Sequence, residues 1–96
     1  MHQIDRRKIE NNLLLKGFIR DDSHHRYFHH EYNGKRTGIY TFTSHGSEYK
    51  TYGLSLLKKM KIQLKLDRIQ DVCDLFNCPL SGEDYNQKLI DKGILD

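Results

Sequence analysis

The histidines of this chain are concentrated in one short segment, residues 23–30. The segment reads Ser-His-His-Arg-Tyr-Phe-His-His, and the turn signal that follows it predicts a strand. Because alternate side chains of a strand share a face, we expect two groups: His24, Arg26, Phe28 and His30 on one face, and His25, Tyr27 and His29 on the other. Only one face can pack on helices, so some of these histidines must be exposed to solvent.

An exposed imidazole beside positive charge can catalyse proton transfer. Neutral imidazole is suited to removing the proton of a ribose 2′-hydroxyl, the step that starts metal-independent cleavage of RNA. Arg26 or a nearby lysine can stabilise the negative charge that then develops on the phosphate. Asp22 can hold a histidine ring in one tautomer. The expected products are a 2′,3′-cyclic phosphate and a 5′-hydroxyl.

A metal site is the alternative use of these histidines. The pairs 24–25 and 29–30 lack the carboxylate or cysteine pattern that is typical of zinc. Cys73 and Cys78 do not have CxxC spacing, and we expect them to be reduced core residues. The sequence therefore predicts no metal and no other cofactor.

Basic and aromatic residues elsewhere fit a nucleic-acid partner. The net charge is +3, with the acidic residues gathered in the last third of the chain. Four lysines of the second predicted helix can contact phosphates, or else form an ordinary solvated face: Lys58, Lys59, Lys61 and Lys65. Four aromatic residues can stack on unpaired bases where they are exposed, although at least two should be core: Tyr27, Phe28, Tyr40 and Phe42. Tyr49 and Tyr52, in a predicted loop, are freer to meet a ligand.

Local signals give the order of the elements. A helical pattern covers residues 5–16 and ends at Gly17. An extended segment starts at Phe18, a turn is expected at residues 21–22, and Asn33-Gly34 predicts a hairpin before a strand at 38–43. A loop follows to about residue 53. The remaining patterns predict three helices: 54–66 with Leu57, Met60 and Leu64 buried, one from Asp67, and one capped by Ser81 and ended by Gly93.

The element order is α-β-β-β-α with two further helices. This order predicts an α+β fold of two layers, similar to double-stranded-RNA-binding domains. At 96 residues we expect one domain, with a core at 1–66 and a helical extension of the same domain at 67–96. No apolar stretch approaches the roughly 20 residues that cross a bilayer. The first residues lack an apolar signal segment, so we expect a cytoplasmic protein without a membrane partner.

Four short segments together resemble the HicA toxin family, over roughly residues 6–65. They are Leu14-Leu15-Lys16-Gly17-Phe18, Ser23-His24-His25-Arg26-Tyr27-Phe28, Thr43-Ser44-His45 and Leu56-Leu57-Lys58-Lys59-Met60. The family has a fold like double-stranded-RNA-binding domains. Its members are metal-independent endoribonucleases that cleave mRNA and are inhibited by a HicB antitoxin.

The resemblance implies specific roles for residues of this chain. Ser23-His24 matches the Ser-His of the family, so His24 is the candidate catalytic residue, and His45 matches the later histidine of the family. The chain departs from the family at Asp22, which replaces a glycine, and at Thr43, which replaces a proline. We therefore keep two alternatives to the nuclease: a non-catalytic RNA-binding module, and an adaptor that binds another protein chain.

Overall fold

A computed structural model describes residues 3–44, 50–77 and 79–95 of the chain. The described part is a small α+β domain with four helices and a three-stranded antiparallel sheet. The elements, in chain order, are β1 (Ile4–Asp5), α1 (Arg6–Leu15), β2 (Phe18–Asp22), β3 (Arg26–Tyr32), β4 (Lys35–Thr43), β5 (Thr51–Tyr52), α2 (Leu54–Gln63), α3 (Ile69–Asn77) and α4 (Gly82–Asp91).

The helix ends follow from local chemistry. Asp5 caps α1, because its side chain accepts a hydrogen bond from the backbone N–H of Arg7 at 3.0 Å. Gly17, which follows α1, has a φ of 97°, a left-handed conformation that costs glycine little. The Ser81 side chain caps α4 by accepting a hydrogen bond from the N–H of Asp84. The predicted stop of α1 at Gly17 and the predicted start of α4 at Ser81 are confirmed.

The main sheet is a meander in the order β2-β3-β4. Asn33 and Gly34, with φ values of 54° and 78°, form the tight turn between β3 and β4 that their sequence predicts. The turn between β2 and β3 differs from the prediction. Strand β2 continues through Asp21 and Asp22, and the chain reverses at residues 23–25 instead.

The helices pack on one face of this sheet. The inward-facing side chains of β3 and β4 include Phe28, Ile39 and Thr41, all fully or almost fully buried. One continuous core joins them to residues of the helices and to the residue that follows α2: Ile9, Leu13, Leu57, Met60, Leu64, Val72, Leu75, Phe76, Tyr85 and Leu89. Helices α3 and α4 therefore share the core of the three-stranded sheet. Cys73 is buried in it, whereas Cys78 lies outside the described residues.

A second, two-stranded pairing was not predicted. Strands β1 and β5 run antiparallel, with Ile4 opposite Tyr52. Tyr52 is consequently only 4% exposed, so the prediction that it stands free in a loop is wrong. Tyr49 lies outside the described residues. In the described ranges, no helix has the length and apolar character needed to span a membrane.

Candidate functional site

The predicted catalytic histidine lies in a turn, not on a strand. Residues Ser23, His24 and His25 connect β2 to β3, and the backbone N–H of Ser23 donates to the His25 carbonyl at 3.0 Å. We call these three residues the histidine turn. Ser23 and His24 are exposed and His25 is half-buried. His24 is not part of a strand because the pairing between β2 and β3 ends at the pair of Asp22 and Arg26.

Asp22, at the edge of this turn, binds an arginine. Its carboxylate accepts two hydrogen bonds from the Arg20 guanidinium, at 2.8 and 2.9 Å, in a fork-to-fork geometry. Both side chains are close to half-exposed. Hydrogen bonding to Asp22 raises the pKa of Arg20. The predicted role of Asp22 beside a histidine stays a prediction.

Arg26 points to the helical side of the sheet. Its Nη1 donates to both carboxylate oxygens of Glu10 on α1, at 3.0 and 3.1 Å. Thr43 of β4 donates to the same carboxylate at 2.6 Å. The Arg26 Nε is buried and has no hydrogen-bond partner among the described residues. Arg26 is therefore held by a carboxylate rather than presented freely to a substrate.

A polar pocket of about 370 Å³ surrounds this ion pair. Its lining combines four cationic and two acidic side chains: Arg6, Arg7, Arg26 and Lys50, with Asp5 and Glu10. Arg6 also donates to the carbonyl of Ser44 at 2.7 Å, which fixes the end of β4 against α1. The pocket carries a net positive charge, and so it favours anions.

The opposite face of the sheet carries a cluster of half-buried and exposed rings. The alternation predicted for the histidine segment is confirmed over residues 26–30, because Phe28 and His30 are fully buried while Tyr27 and His29 face outward with residues of β4. We call the outward cluster the ring face, which consists of His25, Tyr27, His29, Tyr40 and Phe42. Neighbouring centroids lie 5.0–6.2 Å apart. Tyr40 is 46% and Phe42 is 36% exposed.

A cleft lies where the ring face meets α2. We call it the strand–helix cleft; its volume is about 280 Å³, and its main lining residues are His25, Phe42, Leu56, Lys59, Met60 and Gln63. The His25 ring stacks on Phe42 with centroids 5.0 Å apart and planes 26° from parallel. Ser44 and Tyr52 also line the cleft, and the Ser44 N–H donates to the Tyr52 hydroxyl at 3.0 Å. Burial raises the pKa of Tyr52.

The four lysines predicted to bind phosphate differ in position and in exposure. Lys59 lines the strand–helix cleft, together with His25. Lys58 is exposed on α2, and Lys61 is half-buried there. Lys65 lies past the end of α2, with a φ of 61°, and its carbonyl accepts a hydrogen bond from the Lys92 ammonium. Lys59 is thus the lysine that the fold brings to the histidine turn.

His30 is separated from these surfaces by its burial. Its Nε2 donates to Asn86 Oδ1 at 2.7 Å, and its Nδ1 lies 3.0 Å from the Thr37 hydroxyl oxygen. Burial lowers the pKa of His30 below its ordinary value, against the opposing effect of the Asn86 hydrogen bond. These contacts give His30 a structural role between β3 and α4.

The sequence did not single out His25, Gln63, Glu10 or Lys50. For His25 a signal was available, because strand alternation had already grouped it with Tyr27 and His29. The contacts of Glu10 and Gln63 join elements far apart in the chain, and no local pattern indicates them. His45 lies outside the described residues, so its predicted role stays a prediction.

No protein-family model matches the chain, and no curated protein and no solved structure is significantly similar to it. Within residues 3–44, 50–77 and 79–95, no group of three or more histidine, cysteine, aspartate or glutamate side chains could hold a metal ion.

Proposed function

We propose that the chain binds RNA and cleaves it without a metal, as HicA-type toxins do, with His24 as the general base. The observation that carries the proposal is the position of two adjacent histidines in an open turn at the edge of an exposed aromatic face. Aromatic side chains at this spacing suit unpaired bases, since every base has a stacking face. RNA held on the ring face would extend past the histidine turn.

The residues of the turn fit in-line cleavage by the 2′-hydroxyl. A neutral imidazole at His24 takes the 2′-hydroxyl proton, the 2′-oxygen bonds to phosphorus, and the bond from phosphorus to the 5′-oxygen breaks. His25 is adjacent in the turn and can protonate the departing 5′-oxygen. Lys59, beside His25 in the strand–helix cleft, can stabilise charge on the phosphate. Arg26 contributes less, because Glu10 neutralises it.

The fold supports the same proposal at a coarser level. The order α1-β2-β3-β4-α2, with the helices on one sheet face, is compatible with a double-stranded-RNA-binding-like arrangement. Under the proposal, α3 and α4 complete the core of that arrangement. The regulatory partner would be an antitoxin of the HicB type, acting on a protein located in the cytoplasm. Fold analogy alone does not establish an activity, and so the test must be enzymatic.

Incubation of labelled single-stranded RNA with the purified chain in EDTA tests the proposal. We expect cleavage with 2′,3′-cyclic phosphate ends, and a loss of at least about 100-fold in rate for His24→Ala. His29→Ala is the matched control, because His29 is on the ring face but outside the turn. It should weaken binding and retain cleavage. No cleavage by the wild-type chain, or equal cleavage by His24→Ala, would refute the nuclease.

Binding without cleavage is the second candidate function. The Glu10–Arg26 ion pair favours it, because the arginine nearest to the turn is already paired with a carboxylate. Under this alternative, wild type and His24→Ala bind RNA equally and give no products. Binding should weaken steeply with added salt, as phosphate contacts release counterions. Binding insensitive to salt would instead favour the protein-binding adaptor.

A further inference from the structure

The strand–helix cleft is suited to one flat heterocyclic group. One wall is the stacked pair of His25 and Phe42, and the other is the apolar surface of Leu56 and Met60 on α2. Its volume, about 280 Å³, lies near the lower limit of small-molecule sites, which is about 300 Å³. The cleft therefore has room for a small planar group but not for a large folded ligand.

Polar groups of the cleft match a nucleotide. Gln63 lines the cleft, and its Oε1 already accepts a hydrogen bond from the Thr41 hydroxyl at 2.6 Å, so the group it can offer a ligand is its amide nitrogen, a donor. The Lys59 side chain is exposed and supplies a positive charge at the cleft. An aromatic wall, an amide donor and one cation complement an aromatic base, its ring edge and an adjoining phosphate.

We infer that the strand–helix cleft holds one unpaired base of a single-stranded RNA, with the adjoining phosphate at Lys59. This inference rests on the proposed RNA function and specifies its substrate as single-stranded. A base inside a duplex is stacked on both faces and paired at its edge, so it cannot enter a cleft between a strand and a helix. The ring face continues from the cleft through Tyr27 and Tyr40, and it offers positions for neighbouring bases.

A binding experiment with a non-cleavable probe tests the inference separately from catalysis. The probe is a short single-stranded RNA that is 2′-O-methylated throughout, so that no 2′-hydroxyl can attack. One central base is replaced by the fluorescent analogue 2-aminopurine, whose emission falls when it stacks. The protein contains no tryptophan, which keeps its own fluorescence weak. A second probe has the same sequence in a duplex with its complement.

Two pairs of variants isolate the cleft. Phe42→Ala removes a cleft wall, whereas Tyr40→Ala removes a ring of the same face that does not line the cleft. Lys59→Ala and Lys58→Ala remove equal charges from adjacent positions of α2, of which Lys59 lines the cleft. Circular dichroism checks that each variant folds. The lysine pair keeps the test valid if Phe42→Ala does not fold.

We expect the single strand to bind more tightly than the duplex and to lose fluorescence on binding. Phe42→Ala should weaken binding by about tenfold, in the range of one base–aromatic stack, and should remove the quenching. In a plot of log K for binding against log salt concentration, Lys59→Ala should make the slope shallower by about 0.7, the effect of one lost phosphate contact. Lys58→Ala should change the slope less. Equal binding of duplex and single strand, or equal effects of the two lysine variants, would overturn the inference.

The two proposals fail in different ways. If unmodified RNA is not cleaved, but the wild type quenches the probe and Phe42→Ala does not, the nuclease proposal fails and the base-binding cleft stands. If RNA is cleaved but Phe42→Ala binds and quenches the probe as the wild type does, the cleft proposal fails and the nuclease stands.

Discussion

The Glu10 carboxylate and the Arg26 guanidinium meet between α1 and β3, with Oε2 and Nη1 3.0 Å apart. The two side chains are 10% and 26% exposed, so water screens the pair only in part. Thr43 donates to the same carboxylate from β4. One carboxylate thus joins a helix to two strands at the end of the sheet that carries the histidine turn.

Glu10→Gln is expected to destabilise the fold. The amide keeps an acceptor for Thr43 but loses the negative charge opposite Arg26, and the loss should be about 1–3 kcal/mol of unfolding free energy. Urea denaturation measures it. Asp22→Asn is the control, since the Arg20–Asp22 pair is much more exposed and should contribute less than about 1 kcal/mol. Equal losses in the two variants would show that the Glu10–Arg26 pair stabilises the fold no more than the exposed Arg20–Asp22 pair does.

The same variant should strengthen RNA binding if the fold is retained. Without the Glu10 charge, Arg26 becomes available to a phosphate in the pocket that also contains Arg6, Arg7 and Lys50. We expect tighter binding of single-stranded RNA, with the salt slope steeper by about 0.7 for one added phosphate contact. Glu83→Gln, an exposed change of equal charge on α4, controls for net charge. Identical salt slopes for the two variants would argue against an Arg26–phosphate contact.

Much of the fold could be predicted because its signals are local. Gly17 ends a helix because it adopts a positive φ, and Ser81 starts one because its side chain caps the first turn. Asn33-Gly34 forms a hairpin turn because both residues adopt positive φ angles. The alternation of side chains along a strand placed Phe28 and Tyr27 on opposite faces, whichever strand pairs with them, and Phe28 is indeed buried. These features depend on neighbours in sequence, and a single chain displays them directly.

The features that were wrong or missed depend on contacts between distant segments. The prediction that His24 lies on a strand was wrong because β3 starts where its pairing with β2 starts, at Arg26 opposite Asp22. Strand β5 forms only because Tyr52 pairs with Ile4. The strand–helix cleft forms only when β4 and α2 pack together, so its lining residues share no local pattern along the chain. The candidate site was thus found by residue type and corrected by packing.

The stability of the fold should decrease in mild acid because of His30. Burial lowers the pKa of His30 below its ordinary value of 6.5, so the unfolded chain takes up a proton before the folded chain does as the pH falls. This contribution to stability is complete above about pH 6.5, the pKa in the unfolded chain, and is lost as the pH falls from there through the lower pKa of His30 in the folded chain. Urea denaturation at several pH values between about 5 and 7 measures the effect.

Asn86→Asp gives the decisive comparison for His30. A carboxylate in place of the Asn86 amide would attract the protonated ring and raise the pKa of His30, so the loss of stability in acid should become smaller or reverse. Asn11→Asp adds the same charge at an exposed position of α1 and controls for it. If both variants keep the pH dependence of the wild type, His30 is not its source.

Gly82→Ala should destabilise the domain by about 1–3 kcal/mol, although alanine usually favours a helix by up to about 1 kcal/mol over glycine. A Cβ at Gly82 would lie 3.1 Å from the Cα and carbonyl oxygen of Lys16, where α1 ends against the start of α4. Lys16 cannot move away easily, because it is 5% exposed and its ammonium donates to the Leu75 carbonyl. Thermal denaturation measures the loss. Gly53→Ala is the control, since nothing lies within 4 Å of a Cβ there. A Gly82→Ala protein as stable as the wild type would show that α4 can move away from α1 at little cost.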